Sequence, residues 1–584
     1  MPASVVFLGA LALGIAVRAV DFLNCRSLGL DEARLAVNVA SRPLLQLLRP
    51  LDLDQSAPPL FLWGERLVFQ LFGRSDCALR LLPVAAGAAA VALMYPLARR
   101  FLDDALARLA ALIGIFSPLL ITYSNAVKQY SVELLVAVLL LLLFERAFRR
   151  EGDRVPAGAL VAGAIAPWLS LSSIFMLATA WVVLAVRALR GRPGAMRHAL
   201  STAAVWGVSV AIAYVGVYRA ARGNPYMHRF WELAFVGPGR PGFLRHAWKT
   251  VEDQVWGFVA GDPLVDRTPY LWLLHAGSVL VVNLCLLGCL HVLRTRGRVA
   301  CWWLGGPAIV TFGASMLGLF PIAPRLTLFL LPGLILLFVA GLSQVLRRGR
   351  APVTTPGLTA AAVVLVLPLA CLSVLRVFSL EPSRHFQRLV TELRERRRPG
   401  EPVYIFARSL PAWIYYSTDW AHPDTARLRF LIGRAGSEGG AFENARSRGL
   451  VRPEEARALD SSAAAPGELL GLPSGMEWRE VQEHVRAEPD SGWVEVERRR
   501  IEAAAAPGVW VLASAYYARE RELFAALERD ATRRTFAHLR PGSALVRYEF
   551  GRAASSRESS APVNRQSRSS AWLGRLRTTT SAGR

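Results

Sequence analysis

Along most of this chain apolar residues come in long blocks, separated by short polar stretches. A helix needs roughly 16–24 such residues to cross the hydrocarbon of a bilayer. Runs of that length fall near 3–20, 81–98, 108–123, 130–148, 156–171, 173–189, 199–219, 269–293, 299–319, 326–345 and 356–378. The pattern predicts a polytopic α-helical membrane protein with about eleven transmembrane helices. Arginines cluster in alternate connections: Arg99-Arg100 with Arg108, Arg146 to Arg154, Arg187 to Arg197, Arg294 to Arg298, and Arg347 to Arg350. Positive loops face the cytoplasm, so the N-terminus is expected inside and everything after residue 379 outside, in a multi-pass protein of the cytoplasmic (inner) membrane. Arg18 and Arg26 lie on the wrong side for this rule.

The outer face then receives four stretches. The first runs from 21 to 80, too long for a plain connection. Within it Asp31 to Leu48 has helical spacing, with Leu35, Val39, Leu44, Leu45 and Leu48 apolar, the mark of a helix lying in the interface. A polar turn follows at Asp52 to Pro59, and a second amphipathic segment, Leu60 to Phe72, stops at Gly73. The other three stretches are Tyr123 to Tyr130, a Trp-, Pro- and Gly-rich region at 220–268, and Phe320 to Arg325.

Past residue 379 the periodicity changes. Pro402 to Ala407 reads as a strand and Leu410 to Ser417 as a helix; Val509 to Ser514, Tyr517 to Asp530 and Ala544 to Phe550 read as strand, helix, strand. The chain divides accordingly into a membrane domain at 1–380, a soluble outer α/β domain at 381–550, and a Ser/Arg-rich tail at 551–584 expected to be disordered.

Composition adds limits. With 53% hydrophobic residues and a mean hydropathy of +0.32, the 584-residue chain is too apolar for a soluble protein. Its net charge of +24 sits largely in arginine loops beside lipid, and no nucleic-acid-binding motif accompanies it. Only two lysines occur, Lys128 and Lys249. The nine histidines form no ligand pair, Cys285, Cys289, Cys301 and Cys371 fall in or beside apolar runs, and residues 3–20 lack the charged start of a removable signal peptide.

Candidate chemistry centres on Leu28-Gly29-Leu30-Asp31-Glu32-Ala33, where two carboxylates follow a span at the start of a helical segment. Ionisable residues beside hydrocarbon usually have a use, although acids in a first helical turn also simply complement the macrodipole. This stretch, Asp54-Gln-Ser-Ala-Pro-Pro-Leu-Phe-Leu-Trp63, Ala78-Leu-Arg-Leu-Leu-Pro83, Tyr123-Ser…Lys128-Gln-Tyr130 and Pro324-Arg-Leu…Phe329-Leu-Leu-Pro332 together resemble a C-type integral-membrane glycosyltransferase. The chain is similar to the bacterial relatives of protein O-mannosyltransferases and of the lipid A aminoarabinose transferase. A weaker echo continues at Glu401-Pro-Val-Tyr and Ala412 to Tyr416.

The resemblance implies transfer of a sugar, with inversion, from a polyprenyl-phosphate donor to a protein, glycan or lipid acceptor on the outer face. Asp31 is then the candidate general base and Glu32 its positioning partner or a plain first-turn acid. Lys128 and Arg325 are candidate cations for the leaving phosphate, with Arg80 a lesser one; interfacial anchoring is the bland reading of each. Tyr123 and Tyr130 either contact the donor or belong to the aromatic belt. Asp54 and Gln55 either touch the acceptor or build the turn before Pro58-Pro59. Asp31, Glu32, Asp52 and Asp54 have the chemistry to gather round a divalent cation, but a single phosphate needs less neutralisation and no cofactor is expected. Cys25 and Cys77 bracket the outer loop and are either a disulfide or two buried thiols. A transporter, or a scaffold for envelope assembly acting through the outer domain, are the competing readings; the first lacks the internal repeats expected of it.

Overall fold

The structure, a computed structural model, describes residues 3–149, 155–190, 195–223, 227–228, 231–238, 243–260, 271–347, 355–378, 386–399, 401–406, 409–418, 420, 430–432, 493–505, 508–513, 518–540 and 543–550. The expected tail at 551–584 lies outside them.

Helices occupy all eleven expected positions, from Ala3–Leu23 to Thr355–Phe378. Among the described residues eight are long and apolar enough to cross a membrane, and nine if the bent pair Asp104–Ile115 and Pro118–Ser124 is one span. Two positions fall short for plain reasons. Tyr130–Arg149 carries Glu133, Glu145, Arg146 and Arg149, and Ala157–Leu169, with 13 residues, reaches only about 20 Å at 1.5 Å per residue. The bend of 55° falls where Pro118 withholds a backbone donor. The carbonyls this frees are taken by side chains, as hydrocarbon requires. Arg18 donates to Ile115 O at 2.8 Å and Ser373 to Phe116 O at 2.9 Å. Arg26 likewise donates to Asn125 O. Both arginines that break the charge rule are therefore internal packing groups.

Helix packing relies on close backbone approach. A Cβ at Gly288 or Gly341 would lie 1.8 Å from a carbonyl of the facing helix, so Leu271–Thr295 and Leu331–Leu346 touch through these glycines. Apolar side chains such as Val5, Leu8, Leu280, Val363 and Leu367 point outward, the surface that lipid covers. At one end of the bundle Arg99 pairs with Asp104, Arg100 with Glu145 and Arg347 with Asp103. The first loop, residues 125–129, residues 320–327 and the α/β domain meet one another at the opposite end.

In the first loop the expected Asp31–Leu48 helix is two pieces. The helix Leu30–Ser41 ends before Pro43, and a 3₁₀ turn, Leu44–Leu48, follows. The second amphipathic helix is Pro59–Phe72, stopped by Gly73 at φ 68°. Asp52 to Pro59 turns through Leu53 and Asp54, both in the left-handed region at φ 62° and 53°.

Among the described residues the C-terminal domain is a five-stranded sheet with flanking helices. Strands β1 (Val403–Ile405), β2 (Phe430–Ile432) and β3 (Val509–Ala513) are parallel, and β4 (Arg533–Arg540) and β5 (Ser543–Glu549) complete the order β2-β1-β3-β5-β4 with antiparallel pairing. The helices Leu410–Ser417 and Ala518–Asp530 stand where the periodicity places them. Among the described residues both strands missed by pattern are edges. Strand β2 has only three residues, and β4 carries three arginines, the charge by which edge strands resist pairing with other chains.

Candidate active site

The helix that carries the two carboxylates begins at Leu30 because its first turn is capped from within. Gly29 N–H donates to Glu32 Oε2 at 2.8 Å, and Ala33 N–H closes the turn on Gly29 O. The other Glu32 oxygen accepts the Val127 amide at 2.8 Å, and Arg80 Nη2 reaches the carboxylate at 3.1 Å. Burial pushes the Glu32 carboxyl up. The Arg80 and Arg26 charges and the two amides outweigh this and hold it below the usual range. Glu32 is thus an ionised staple whose acceptor sites go to backbone and to Arg80.

Arg80 is wholly buried. Its Nε donates to Asn125 O, Nη1 to the Arg26 and Asp76 carbonyls, and Nη2 to Glu32. Every guanidinium nitrogen of Arg80, the residue named as a lesser phosphate candidate, thus has a partner inside the protein. Its role is to lock the segment after residue 25, the start of the second span and the 125–128 loop into one body.

Asp31, one residue before Glu32, faces the other way and keeps 41% of its side chain exposed. Arg325 Nη1 donates to its Oδ2 at 3.1 Å. Lys128 and Arg34 also bear on it electrostatically. Crowding by protein raises its pKa, but Lys128, Arg325, Arg34 and the Arg325 hydrogen bond together bring it below the ordinary aspartate value. The Lys128 ammonium is buried and donates to Gln55 Oε1. Desolvation lowers it to about 8, with Asp31 opposing the drop and Arg325 adding to it. Gln55 is fixed in turn, its Nε2 donating to Leu53 O at 3.0 Å and Asp54 O at 3.3 Å. The turn before Pro58 therefore presents Gln55 to Lys128.

Arg325 enters from the segment before the Leu328–Leu346 span. Its guanidinium lies 4.9 Å from the centre of the Trp231 ring, a cation–π arrangement. Trp231 is held because Ile322 N–H donates to Ala234 O and Val236 N–H to Ser315 Oγ. Helix Phe243–Ala260 seats against Pro324 at Gly257, where a Cβ would come within 2.6 Å of the proline ring. Tyr130 is buried edge-on to Tyr123, ring centres 5.2 Å apart, in a cluster with Leu119, Leu120, Leu134 and Leu328. Tyr130 lies within electrostatic reach of Arg325 and Asp31.

Asp31, Lys128, Gln55 and Arg325 converge; Asp54 shapes the turn, and Arg80 and Glu32 sit one layer behind. Three of the four acids named for a divalent cation have cationic partners: Asp31 pairs with Arg325, Glu32 with Arg80 and Asp52 with Arg42. Among the described residues no group of three or more His, Cys, Asp or Glu side chains is placed to hold a metal. Cys25 and Cys77 form a disulfide, Cα atoms 4.9 Å apart. Sequence reasoning missed Arg34 and Trp231. Arg34 had a signal, since residues i and i+3 share a helix face; Trp231 had none beyond lying in a Trp-rich stretch.

The constellation combines an ionised, solvent-accessible carboxylate with cations that exceed it in number, since Glu32 is already neutralised by Arg80. It suits an anionic group beside a base, at the mouth of a membrane-embedded bundle. Residues 56–218 match the family described as dolichyl-phosphate-mannose-protein mannosyltransferase. No curated protein sequence matches the chain significantly. Among solved structures the chain is similar to ArnT from Cupriavidus metallidurans in the apo state, at 15% identity and a TM-score of 0.49, covering 92% of this chain and 98% of that one. The same protein bound to undecaprenyl phosphate matches at 14% identity and 0.47 over the same shares. The Archaeoglobus fulgidus oligosaccharyltransferase AglB, in complex with an inhibitory peptide and a dolichol-phosphate, matches at 13% and 0.42, covering 86% of this chain and 71% of that one.

Proposed function

We propose that the protein is a membrane glycosyltransferase that moves a sugar from a polyprenyl-phosphate donor to an acceptor hydroxyl at the end of the bundle that holds Asp31. The observation that carries this reading is the ionised Asp31 carboxylate set between Lys128 and Arg325. The acceptor oxygen attacks the anomeric carbon, its proton passes to Asp31, and the bond from that carbon to the phosphate oxygen breaks. Attack from the side opposite the phosphate inverts the anomeric centre. The departing polyprenyl phosphate gathers negative charge, which Lys128 and Arg325 stabilise where water is scarce. The match of residues 56–218 to the mannosyltransferase family supports the same class of donor. On this reading no metal is required, because two cations already face the single phosphate. The arginine-rich connections Arg99-Arg100 and Arg347 lie at the opposite end and favour an orientation with the site outside the cytoplasm. The test is mass spectrometry of envelope glycans in a deletion strain of the source organism. A sugar modification lost on deletion, restored by the wild-type gene and not by Asp31→Asn, supports the assignment; an unchanged glycan profile sinks it.

A further inference from the structure

Among the contacts between the α/β domain and the carboxylate-bearing loop, one side chain bridges two segments of that loop. Helix Leu410–Ser417 lies against helix Leu30–Ser41, and Tyr416, almost fully buried, spans the gap. Its hydroxyl accepts the Leu28 amide at 2.7 Å and donates to Asp76 Oδ2 at 2.7 Å. Leu28 is three residues before Asp31. Asp76 is four residues before Arg80, which donates to the Asp76 carbonyl and to Glu32. A closed circuit results, running Leu28, Tyr416, Asp76, Arg80, Glu32 and back along the first helical turn. Two further bonds tie the domain to the same two strands of chain: Gln387 N–H donates to Ser27 Oγ at 3.1 Å, and Arg74 Nη1 to Tyr416 O at 2.7 Å. The Cys25–Cys77 bond joins those strands directly beside the circuit.

We propose that the C-terminal domain clamps the loop that carries Asp31, and that Tyr416 is the positioning residue of the clamp: its hydroxyl sets the first turn of the Leu30–Ser41 helix, and so the aim of the Asp31 carboxylate. The catalytic part of this proposal rests on the transferase reading above. The hydroxyl, and not the ring, does the positioning. The ring packs edge-on to Tyr415, centres 5.1 Å apart, and beside Phe386 at 6.1 Å, contacts that phenylalanine would keep. Without the hydroxyl the Leu28 amide loses its acceptor in a buried place, and the turn is free to shift toward a new one. Misplacement of a catalytic group by about 1 Å costs on the order of 10²-fold in rate.

The experiment uses the full-length protein in detergent and in membranes. In hydrogen exchange followed by mass spectrometry, Tyr416→Phe raises exchange of the peptide covering 24–35 by roughly tenfold at its slow amides, the scale of one lost buried hydrogen bond, while the Leu331–Leu346 helix is unchanged. Asp76→Leu reproduces this, Asp76→Asn (which keeps an oxygen acceptor) does not, and the Tyr416→Phe/Asp76→Leu pair goes no further than either change alone. Initial transfer rate, measured on the modification that the deletion strain loses, falls roughly 10- to 100-fold in Tyr416→Phe, with affinity for undecaprenyl phosphate within about twofold, since Lys128 and Arg325 come from other segments. Wild-type exchange over 24–35 in Tyr416→Phe overturns the clamp whatever the protein transfers. Loosened exchange with an undiminished transfer rate overturns its part in catalysis. A wild-type gene that restores no modification sinks the transferase reading instead, and the exchange result still decides the clamp.

Discussion

Arg325 Nη1 donates to Asp31 Oδ2 at 3.1 Å, joining residues 294 apart in sequence. Both side chains are partly open, 27% and 41% exposed, so the pair adds little stability, about 1 kcal/mol at most. Its effect is on the state of the carboxylate. On the proposed reading Asp31 is the base and must be ionised to take a proton, and Lys128 with Arg325 holds its carboxyl below the ordinary range. Asp31→Asn removes the proton acceptor without changing shape. Turnover is expected to fall roughly 10²-fold or more, while affinity for undecaprenyl phosphate holds or tightens, because a negative neighbour of both cations is gone. Near-normal turnover of the purified variant refutes the role. Glu32→Gln is expected to lose stability rather than the chemical step, since Glu32 spends its oxygens on Gly29, Val127 and Arg80.

The two cations give the pH profile its sides. Asp31 titrates below the ordinary 3.8 while Lys128 and Arg325 face it; Arg325→Ala removes one positive charge, so the acid limb of kcat/KM moves to higher pH. Lys128 loses its proton at about 8, so donor KM is expected to rise above that pH. A guanidinium stays charged there, and Lys128→Arg flattens the alkaline limb even where its shape lowers the rate. Lys128→Ala and Arg325→Ala should be non-additive in donor affinity if both touch one phosphate. Strictly additive losses, or an alkaline limb that persists in Lys128→Arg, argue that Lys128 acts elsewhere.

Asp31, Gln55, Lys128 and Arg325 were legible because polar residues at the ends of apolar runs stand out, and because each run's length fixes which end of the bundle it reaches. The same logic located the helices and the alternation of the C-terminal domain. It failed wherever the outcome depends on a partner far along the chain. Arg80 reads as another interfacial cation until its carbonyl acceptors are seen, and nothing near Tyr416 in sequence points to Leu28. Pro43 splits the Asp31–Leu48 helix although apolar spacing continues past it, since periodicity reports which face is buried and not whether the backbone bonds persist. Strand β4 hid because its arginines disguise an edge strand.

The Cys25–Cys77 bond spans a sequence separation of 52. Closing a loop of that length stabilises by roughly 4 kcal/mol through the entropy of the unfolded chain. It also joins the segments bearing Leu28 and Asp76, so its loss reaches the site. Cys25→Ser/Cys77→Ser is expected to lower the melting temperature in detergent and to reduce turnover. Non-reducing peptide mapping of the wild type should find the crosslinked pair. Alkyl label on both cysteines before reduction contradicts it.

Glu65 tests the energetics of the same loop from its buried side. It lies wholly inside on helix Pro59–Phe72, and among the described residues neither carboxylate oxygen has a hydrogen-bond partner. Burial drives its pKa far up, with only Arg80 pulling the other way. The folded protein therefore holds this proton to higher pH than the unfolded chain, which releases it above about 4.5. Protons bound only in the folded state make stability fall as pH rises above that value, until the folded-state pKa is reached. Glu65→Gln abolishes this slope: its melting temperature exceeds wild type at pH 8 by more than at pH 5. Glu65→Met removes the orphaned polar atoms as well, and a gain of about 1–3 kcal/mol is expected at neutral pH. Glu65 bears on Arg80 rather than on the groups proposed to do the chemistry, and transfer rates should change little in either variant. A destabilised Glu65→Met would mean that the carboxyl has a partner in solution and that the loop is held by a bond not yet recognised.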